Sequence, residues 1–455
     1  MRRLDRIAGT AVLLAALLSA AGAARADGTR TLADIRESGR LVVLTRNSPT
    51  TVYVGRNGRR TGPEYELVEA FADWLGVDAV YREFGSTGGV LEALSRGRGD
   101  LAAAGLTVTR GRQRWFRFGP TYRRVIQQVV CRRDTVQPEN LRELAAVDAV
   151  SVVADSSYAE LLYALEHQGY PVPDWTAVEG RSSEDLLRAV WQREIDCTIA
   201  DSHIVAINQR YYPELLSPMN LSREQRLAWA MPRGAVALDR AATRWLEGFR
   251  ASGALADLDE KYFGFFRKFD YVDIRFLIRR TDNRFPRYRG WFREAARKHD
   301  LPFVLLAAQG YQESHWRARA RSPTGVRGIM MLTRLTASEV GVTDRLDPRQ
   351  SIFGGARYMA RMKQRFVDAV EEPDRTFMAL AAYNVGRAHL HDAQVLARQK
   401  GLDPHRWRDI KRVLPLLSDP DYYRSLKYGY ARGREPVRYV QRIREYRHVL
   451  ANELR

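Results

Sequence analysis

The stretch YQESHWRARARSPTGVRGIMML, residues 311–332, carries one carboxylate, Glu313, directly after an apolar run. The preceding run, LPFVLLAAQG (301–310), contains no other acid, and the residues that follow are rich in Arg, Ser, Pro and Gly. An apolar setting raises the pKa of a carboxyl group, because desolvation disfavours the charged form. The sequence therefore predicts that Glu313 starts protonated and acts as a general acid.

The sequence around this stretch, from about residue 287 to the C-terminus, has the periodicity of helices. Asp347 and Pro348 are typical of an N-cap followed by the first helical residue, and Gly386 is placed to end a helix. The last helix is predicted in EPVRYVQRIREYRHVLANEL (435–454). We therefore expect a second half that consists of helices.

The first half alternates between strand-like and helix-like segments. RLVVLTR (40–46) has the pattern of a short apolar strand, and EYELVEAFADWLG (64–76) has apolar residues at helical spacing and ends at Gly76. Strands separated by helices predict parallel sheets, in which ligands bind at the carboxyl ends of the strands. We predict an α/β binding domain over 27–266, a linker over 267–286 and the helical domain over 287–455.

The N-terminus has the composition of a secretory signal. MRRLDR is basic, IAGTAVLLAALLSAAGA is apolar, and ARA at 24–26 fits the rule of small residues at a cleavage site. This pattern predicts a cleaved signal peptide over residues 1–26, with an uncleaved anchor as the alternative. No cysteine follows the apolar run, which excludes a lipoprotein anchor. We expect an exported chain that resides in the periplasm.

The only two cysteines of the sequence are Cys131 and Cys197. An oxidising compartment permits them to form a disulfide, but their separation along the chain does not define their geometry. A disulfide and two buried free thiols therefore stay open as alternatives.

The net charge of the chain indicates which binding partners to expect. The formal net charge is +19, from 73 Lys and Arg against 54 Asp and Glu, which favours acidic polymers or anionic surfaces. Export removes the chain from nucleic acid, so the cell wall and lipid headgroups are the expected partners. An Arg-rich solvated surface is the alternative.

Metal and cofactor sites are not predicted. His315, His389 and His391 have no Cys or acidic partner at the spacing of metal ligands, so surface histidines are the favoured interpretation.

Two segments of the first half resemble the family 3 solute-binding proteins, which capture amino acids between two lobes. GDLAAAGLTVTRGRQRWFRFGPTY (99–122) is similar to the family's segment with Thr, Arg and a Pro-Tyr-like end, and EIDCTIADS (194–202) is similar to a second-lobe strand that ends in Asp. The resemblance implies a two-lobed periplasmic-binding-protein-like fold.

The same resemblance implies a set of ligand-binding residues. In the family the Arg clamps an α-carboxylate, which suits a planar guanidinium, and the Asp holds the α-amino group. The corresponding residues of this chain are Thr107, Arg112, Asp155, Ser157 and Asp201. A wall stem peptide and a free amino acid stay open as ligands.

Four motifs of the second half resemble the lytic transglycosylase domain of the goose-lysozyme-like superfamily. ES (313–314), GIMML (328–332), AAYNVG (381–386) and YV (439–440) occur in the family's order. The general family has Gln where this chain has Met331. Met at this position and the segment YGYARG together resemble one branch of the family, the membrane-bound lytic murein transglycosylases F. In that branch the domain follows a solute-binding-like domain.

This second resemblance implies a fold, an activity and partners. The fold is a helix-rich, lysozyme-like domain, and the activity is non-hydrolytic cleavage of the MurNAc–GlcNAc β-1,4 bond that leaves 1,6-anhydroMurNAc ends. The partners are peptidoglycan glycan strands, a stem peptide or muropeptide at the N-terminal domain, and the inner face of the outer membrane as a peripheral attachment. Glu313 is the implied catalytic residue. The implied substrate-binding residues are Ser314, Ser322, Thr324, Met331, Tyr383, Asn384 and Tyr439.

One carboxylate is chemically sufficient for such a lyase, although glycosidases ordinarily use two. The substrate's N-acetyl group can stabilise the cationic centre, and its C6 hydroxyl can attack in place of water. Three alternatives stay open: a lysozyme-like muramidase that uses water, an amino-acid or peptide receptor with an inert C-terminal domain, and a scaffold that binds the wall without cleaving it.

Overall fold

The computed structural model describes residues 29–55, 58–264, 271–322 and 325–454. The predicted signal peptide lies outside these residues. The chain divides into two compact units. Of the described residues, the first unit contains those up to 127 together with 141–186 and 220–252, and the second contains 128–140, 187–219 and those from 253 onward.

Strands occur before residue 233 and helices occur along the whole described chain. The strands are β1 (Arg40–Arg46), β2 (Tyr53–Val54), β3 (Arg60–Thr61), β4 (Asp78–Phe84), β5 (Leu101–Ala102), β6 (Phe116–Phe118), β7 (Arg123–Val125), β8 (Gln127–Arg132), β9 (Val150–Val153), β10 (Trp175–Val178), β11 (Cys197–Asp201), β12 (Leu215–Asn220), β13 (Gln225–Leu227) and β14 (Ala230–Pro232).

The α-helices are α1 (Leu32–Glu37), α2 (Pro63–Leu75), α3 (Thr87–Ser95), α4 (Arg110–Gln113), α5 (Leu141–Leu144), α6 (Ser157–His167), α7 (Ser183–Gln192), α8 (Ser202–Asn208), α9 (Val236–Ala251), α10 (Ala254–Phe263), α11 (Tyr271–Asn283), α12 (Arg289–Lys298), α13 (Phe303–Ser314), α14 (Arg334–Glu339), α15 (Pro348–Gln364), α16 (Asp374–Val385), α17 (Arg387–Gln399), α18 (Trp407–Val413), α19 (Pro420–Tyr423) and α20 (Arg434–Glu453). Short 3₁₀ helices span Phe285–Arg287 and Leu414–Ser418.

The first unit contains a five-stranded sheet with the order β4-β1-β5-β14-β6. β1 pairs in parallel with β4, from Arg40 opposite Asp78 to Arg46 opposite Phe84, and β5 lies parallel on the other side of β1. Leu41, Val43 and Leu44 of β1 are fully buried and Val42 is partly buried, as expected for a strand covered on both faces. Arg46 therefore marks the carboxyl end of a central parallel strand, which is where ligands bind in open α/β sheets.

A second set of strands completes the α/β part. In the first unit β9 pairs in parallel with β10. In the second unit β8 lies between β11 and β12. A disulfide joins Cys131 of β8 to Cys197 of β11, with 4.4 Å between their Cα atoms. Of the two alternatives that the sequence left open, the structure has the disulfide.

Removing this disulfide is expected to destabilise the chain. The Cys131→Ala variant frees a loop whose ends lie 66 residues apart, so the unfolded state gains conformational entropy. We expect the free energy of unfolding to fall by roughly 2–4 kcal/mol, measured by denaturant titration under oxidising conditions. The wild-type chain with its disulfide reduced is the control and should lose a similar amount. Equal stability of the variant and the oxidised wild type would contradict this account.

The helical part is built around α13. This helix is buried on every side from Val304 to Tyr311, which is the pattern of a central helix rather than an amphipathic surface helix. Residues of α20 bury a long apolar stripe in the same core, including Val440, Ile443 and Leu450. The core thus holds the end of α13, and with it Glu313, in a fixed place.

The structure differs from the sequence interpretation in the segment between the two parts. We predicted a linker over 267–286, and α11 begins at Tyr271 and ends at Asn283 within that range. Ile274 and Leu277 are 1% and 0% exposed and belong to the helical core. Their spacing of three residues is helical, but the charged residues on either side of Ile274, Asp273 and Arg275, obscured the pattern.

Candidate active site

The end of α13 is fixed by a polar contact with the loop that contains GIMML. The hydroxyl of Ser314 donates a hydrogen bond to the carbonyl of Ile329 over 2.8 Å and accepts one from the amide of Arg317 over 3.1 Å. Ser314 is buried, and this geometry supports the role of orienting the helix end. The next residue, His315, has φ 52° and ends the helix in the left-handed region.

The GIMML loop is a tight turn. Arg327 and Leu332 exchange backbone hydrogen bonds, and the amide of Met331 donates to the carbonyl of Gly328 over 3.1 Å. A side chain at Gly328 would collide with the carbonyl oxygen of Arg345, at 1.8 Å from its Cβ, so only glycine fits. Met331 is partly exposed and has φ 47°, a conformation that non-glycine residues adopt at a cost.

Glu313 is held by a polar chain that crosses from α13 to α20. The hydroxyl of Tyr439 donates a hydrogen bond to Oε1 of Glu313. The same hydroxyl accepts a hydrogen bond from Nε2 of Gln309 over 3.3 Å. Gln309 and Glu313 are separated by four residues on one helix and therefore share a face. Tyr439 and Gln309 are both buried, so the chain fixes the orientation of the carboxyl group.

The surroundings of Glu313 set its protonation state. Burial raises the pKa of Glu313 to about 8, and the hydrogen bond from Tyr439 lowers it in part. Burial and the neighbouring Glu313 also raise the pKa of Tyr439 and of Tyr383 above their ordinary values. At neutral pH Glu313 is therefore mostly protonated and its two tyrosine neighbours are neutral. This is the protonation state that a general acid needs.

No other carboxylate contributes to the raised pKa of Glu313 in the described part of the chain. The acids downstream have other partners: Glu339 pairs with Arg361 and Arg365. Asp344 accepts from the amide of Leu346, and Asp347 caps α15 through the amide of Gln350.

One of the remaining substrate-binding candidates, Thr324, lies outside the described residues. The hydroxyl of Tyr383 donates to the carbonyl of Met330 over 3.0 Å, so α16 is tied to the GIMML loop. Asn384 is exposed in the last turn of α16. The hydroxyl of Ser322 accepts from the amide of Val326 over 3.3 Å.

Four of the five ligand-binding candidates of the first half lie in the first unit and contact one another. Arg112 is 6% exposed and donates to the carbonyls of Asp155 over 2.9 Å and Thr107 over 3.3 Å. Its Nε also forms an ion pair with Glu160, 2.8 Å from Oε1. The hydroxyl of Ser157 lies 3.2 Å from that of Thr107. Arg112 thus has an acceptor for each of its two terminal nitrogens and a carboxylate beside its Nε, although the Nε itself makes no hydrogen bond.

The fifth candidate, Asp201, belongs to the second unit. It is the last residue of β11, is 3% exposed, and occupies the N-cap position of α8 without a side-chain capping bond. This position at the carboxyl end of a strand agrees with the predicted placement.

Sequence reasoning missed two parts of the active site. One is Gln309, and the other is the backbone carbonyl of Met330, which binds Tyr383. Gln309 was detectable, because it is the one polar side chain in the apolar run FVLLAAQGY and lies one helical turn before Glu313. A backbone carbonyl has no sequence signal of its own.

Replacing Tyr439 by Phe is expected to move the pH–rate profile. The substitution removes the hydrogen bond that favours ionised Glu313, so the pKa of Glu313 rises above about 8. A general acid acts in its protonated form, so with Glu313 in this role activity falls as pH passes its pKa, and the alkaline limb of the variant should move to higher pH. The Tyr383→Phe variant is the control, since its hydroxyl donates to Met330 and not to Glu313. An alkaline limb that moves to lower pH in Tyr439→Phe would exclude this assignment.

Known protein families match both halves of the chain. Residues 41–265 match the bacterial extracellular solute-binding proteins, family 3, and residues 290–404 match the transglycosylase SLT domain. Over half of this chain, the fold is similar to a mutant of the arginine-binding protein ArgBP from T. maritima, with a TM-score of 0.46 and 21% identity, covering 51% of this chain and 99% of that one.

Fold and site together define a peptidoglycan lytic transglycosylase, a lyase with a solute-binding-like domain before its catalytic domain. The membrane-bound lytic murein transglycosylase F 2 of Alkalilimnicola ehrlichii is 47% identical, covering 98% of this chain and 98% of that protein. Membrane-bound lytic murein transglycosylase F of Maricaulis maris is 48% identical, with 92% of each chain covered. The chain belongs to the membrane-bound lytic murein transglycosylase F family.

No helix among the described residues is long and apolar enough to cross a membrane. They also contain no group of three or more His, Cys, Asp or Glu side chains arranged to hold a metal ion.

Proposed function

We propose that Glu313 performs both proton transfers of the lytic reaction. The observation that carries this proposal is a carboxyl group with a pKa of about 8, bound by Tyr439, without a second carboxylate acting on it in the described chain. A nucleophilic or water-activating partner is a requirement of ordinary glycosidases, and a lyase does not need one.

The reaction balances with one acid. Glu313 gives its proton to the glycosidic oxygen, the bond to C1 of the muramoyl sugar breaks, and the N-acetyl group of that sugar stabilises the cationic centre. The C6 hydroxyl then attacks C1, and the carboxylate of Glu313 accepts the hydroxyl proton. The product is a 1,6-anhydro sugar, Glu313 is protonated again, and water is neither bound nor released. Because attacker and centre belong to one sugar, proximity supplies what a second carboxylate otherwise would.

The residues around Glu313 bind the substrate and orient the carboxyl group of Glu313. Tyr439 and Ser314 act on Glu313 and its helix, while Met331, Tyr383 and Asn384 line the groove in which the sugars lie. Ser322 and Thr324 contact the N-acetyl group. The partly exposed loop of Met331 and the exposed Asn384 support this division of roles.

Substrate assistance can be tested on the wall itself. We expect intact sacculi to release soluble products, and chemically N-deacetylated sacculi to release none, because the stabilising acetamido group is gone. Sedimentation of the protein with each kind of sacculus is the control for binding. Equal cleavage of deacetylated sacculi that bind equally well would refute assistance by the N-acetyl group.

We further propose that the N-terminal domain binds a wall stem peptide and regulates cleavage through α20. Glu260 and Arg210 lie in the part that matches solute-binding proteins. Arg444 binds Glu260, and Arg210 forms an ion pair with Glu445 at 3.0 Å between Nε and Oε1. Arg210 and Arg444 are 1% and 6% exposed, so these contacts are shielded from solvent.

The same helix carries Tyr439, five residues before Arg444. At a rise of about 1.5 Å per residue, the buried ion pairs lie within about 10 Å, along the helix axis, of the residue that holds Glu313. A displacement at one end of a packed helix is transmitted to the other end, because helices move as rigid elements. This supports a direct route from the ligand-binding domain to the acid.

The site of action proposed for this lyase is the periplasm, with peripheral attachment to the inner face of the outer membrane. The net charge of +19 and the relatives' description as membrane-bound support attachment to an anionic surface.

Regulation is tested by adding a synthetic alanyl-γ-glutamyl-lysine tripeptide to the full chain and measuring release of soluble products from sacculi. A change in rate supports the proposal, and an unchanged rate at saturating peptide would count against it.

A further inference from the structure

Arg46 is a buried guanidinium that makes no side-chain hydrogen bond or ion pair with the residues that the structure describes. It is 8% exposed, and its Nε lies out of contact with solvent without a hydrogen bond. Within residues 29–55, 58–264, 271–322 and 325–454, its side chain forms no ion pair and donates no hydrogen bond. An unpaired buried charge is costly and is rarely retained without a function.

The position of Arg46 in the sheet is that of a ligand-binding residue. Arg46 ends β1, and the parallel strand β5 ends with Ala102 opposite Leu44, two residues before Arg46, so the loop after β5 starts near the same edge of the sheet. That loop contains Thr107, one of the predicted ligand-binding residues. Hydroxyl groups follow β1 as well, with Ser48 and Thr50 buried and their oxygens 2.9 Å apart.

Glu64 is the carboxyl group that interacts electrostatically with Arg46, and its oxygens already accept hydrogen bonds from other groups. It accepts hydrogen bonds from the hydroxyl of Tyr122 and from the amide of Gly105, the latter over 2.8 Å. Burial raises its pKa to about 7, against the lowering effects of these bonds and of Arg46 and Arg123. Below pH 7 Glu64 is mostly neutral and leaves the charge of Arg46 uncompensated.

Arg112 is in the opposite situation. Its two terminal nitrogens donate hydrogen bonds to the carbonyls of Thr107 and Asp155, and its Nε forms an ion pair with the carboxylate of Glu160 without a hydrogen bond. A ligand carboxylate would have to displace Glu160 to reach Arg112, whereas it would meet an unused guanidinium at Arg46. The two arginines therefore differ in what they offer a ligand.

We propose that Arg46 is the residue that binds a carboxylate of an acidic peptide in the N-terminal domain, with Arg112 serving to hold the loops of the site together. This inference rests on the proposed function, in which that domain binds a wall peptide. A guanidinium suits a carboxylate because it can donate two parallel hydrogen bonds.

Glu64 makes this binding dependent on pH. A bound carboxylate disfavours a second negative charge nearby, so affinity should fall as pH rises through about 7 and Glu64 ionises. The groups that face Glu64 are Arg46, Arg123, the hydroxyl of Tyr122 and the amide of Gly105.

The test is calorimetric titration of the full chain at pH 6 with alanyl-γ-glutamyl-lysine and with analogues in which one or the other carboxylate is amidated. We expect the Arg46→Met variant to bind the tripeptide roughly 10- to 100-fold more weakly, which is the value of a hydrogen-bonded charge pair. One of the two amidated analogues should bind the wild type more weakly than the tripeptide does, by the same factor. That analogue and the tripeptide should bind the Arg46→Met variant equally weakly. The Arg112→Lys variant is the comparator, and it should still bind the tripeptide more tightly than the amidated analogue.

Folding is controlled by thermal unfolding without peptide. Because Arg46 makes no hydrogen bond or ion pair with the described residues and Glu64 is mostly neutral at pH 6, Arg46→Met should unfold at the wild-type temperature or above at that pH. Should that variant not fold, Arg46→Lys and the amidated peptides with wild type decide the question. Wild-type affinity in Arg46→Met, with loss only in Arg112→Lys, overturns the inference and leaves the peptide-binding function intact. No binding to the wild type overturns both.

Discussion

Replacing Glu313 by Gln is expected to lower the release of soluble products from sacculi by roughly 10³-fold or more, since a general acid–base contributes about 10²–10⁴-fold and the proposed mechanism gives both roles to this one residue. Gln keeps the size of the side chain and can still accept the hydrogen bond of Tyr439, so the fold is expected to persist. The matched control is Glu339→Gln, which removes an acid paired with surface arginines. It should change the rate by no more than about twofold.

Stability gives an independent check on the same variant. The pKa of Glu313 rises from 4.5 to about 8 on folding. The ionised carboxylate therefore destabilises the folded state relative to the protonated carboxyl group. Wild-type stability relative to Glu313→Gln should therefore be greatest below pH 4.5 and decline as pH rises toward 8. Thermal unfolding at pH 4 and pH 8 measures this difference. A wild type that gains relative stability toward pH 8 would mean that the environment of Glu313 has been misjudged.

Replacing Arg210 by Met is expected to lower the free energy of unfolding by about 3–5 kcal/mol, because Glu445 is left buried without its main partner. The double variant Arg210→Met, Glu445→Leu exchanges the pair for apolar side chains of similar volume and should recover most of the loss. Denaturant titration of the two variants and the wild type measures these values. Equal stability of the single variant and the wild type would exclude a structural role for the pair.

The double variant also tests regulation without the penalty in stability. Its catalytic residues are unchanged, so release of products from sacculi without peptide should continue. If the route from the N-terminal domain passes through α20, the response of the rate to added tripeptide should be reduced or lost. An undiminished response would place the coupling elsewhere.

Local patterns of the sequence predicted much of the fold and of the site. The apolar run before Glu313 gave a buried helix with a protonated acid at its end, because periodicity and desolvation are local properties. The contact between Glu313 and Tyr439 joins residues 126 positions apart and was reached only through a family resemblance. No rule of spacing brings such distant residues together.

Other features depend on packing that local patterns do not encode. The segment that was interpreted as a linker forms α11, because Ile274 and Leu277 find a place in the helical core. The state of the two cysteines was open until β8 and β11 were seen side by side. Arg112 matched the family motif, but the ion pair with Glu160 that occupies it comes from a different element. The unpaired state of Arg46 is equally invisible in the sequence.

The central claim is that Glu313 alone drives a reaction in which the sugar's own hydroxyl replaces water. The most direct test is mass spectrometry of the products that the wild type releases from purified sacculi in ¹⁸O-enriched water, before and after borohydride treatment. We expect 1,6-anhydro ends that contain no ¹⁸O, resist reduction and are absent with Glu313→Gln. Reducible ends that carry ¹⁸O would show that water attacks, which contradicts the single-carboxylate lyase.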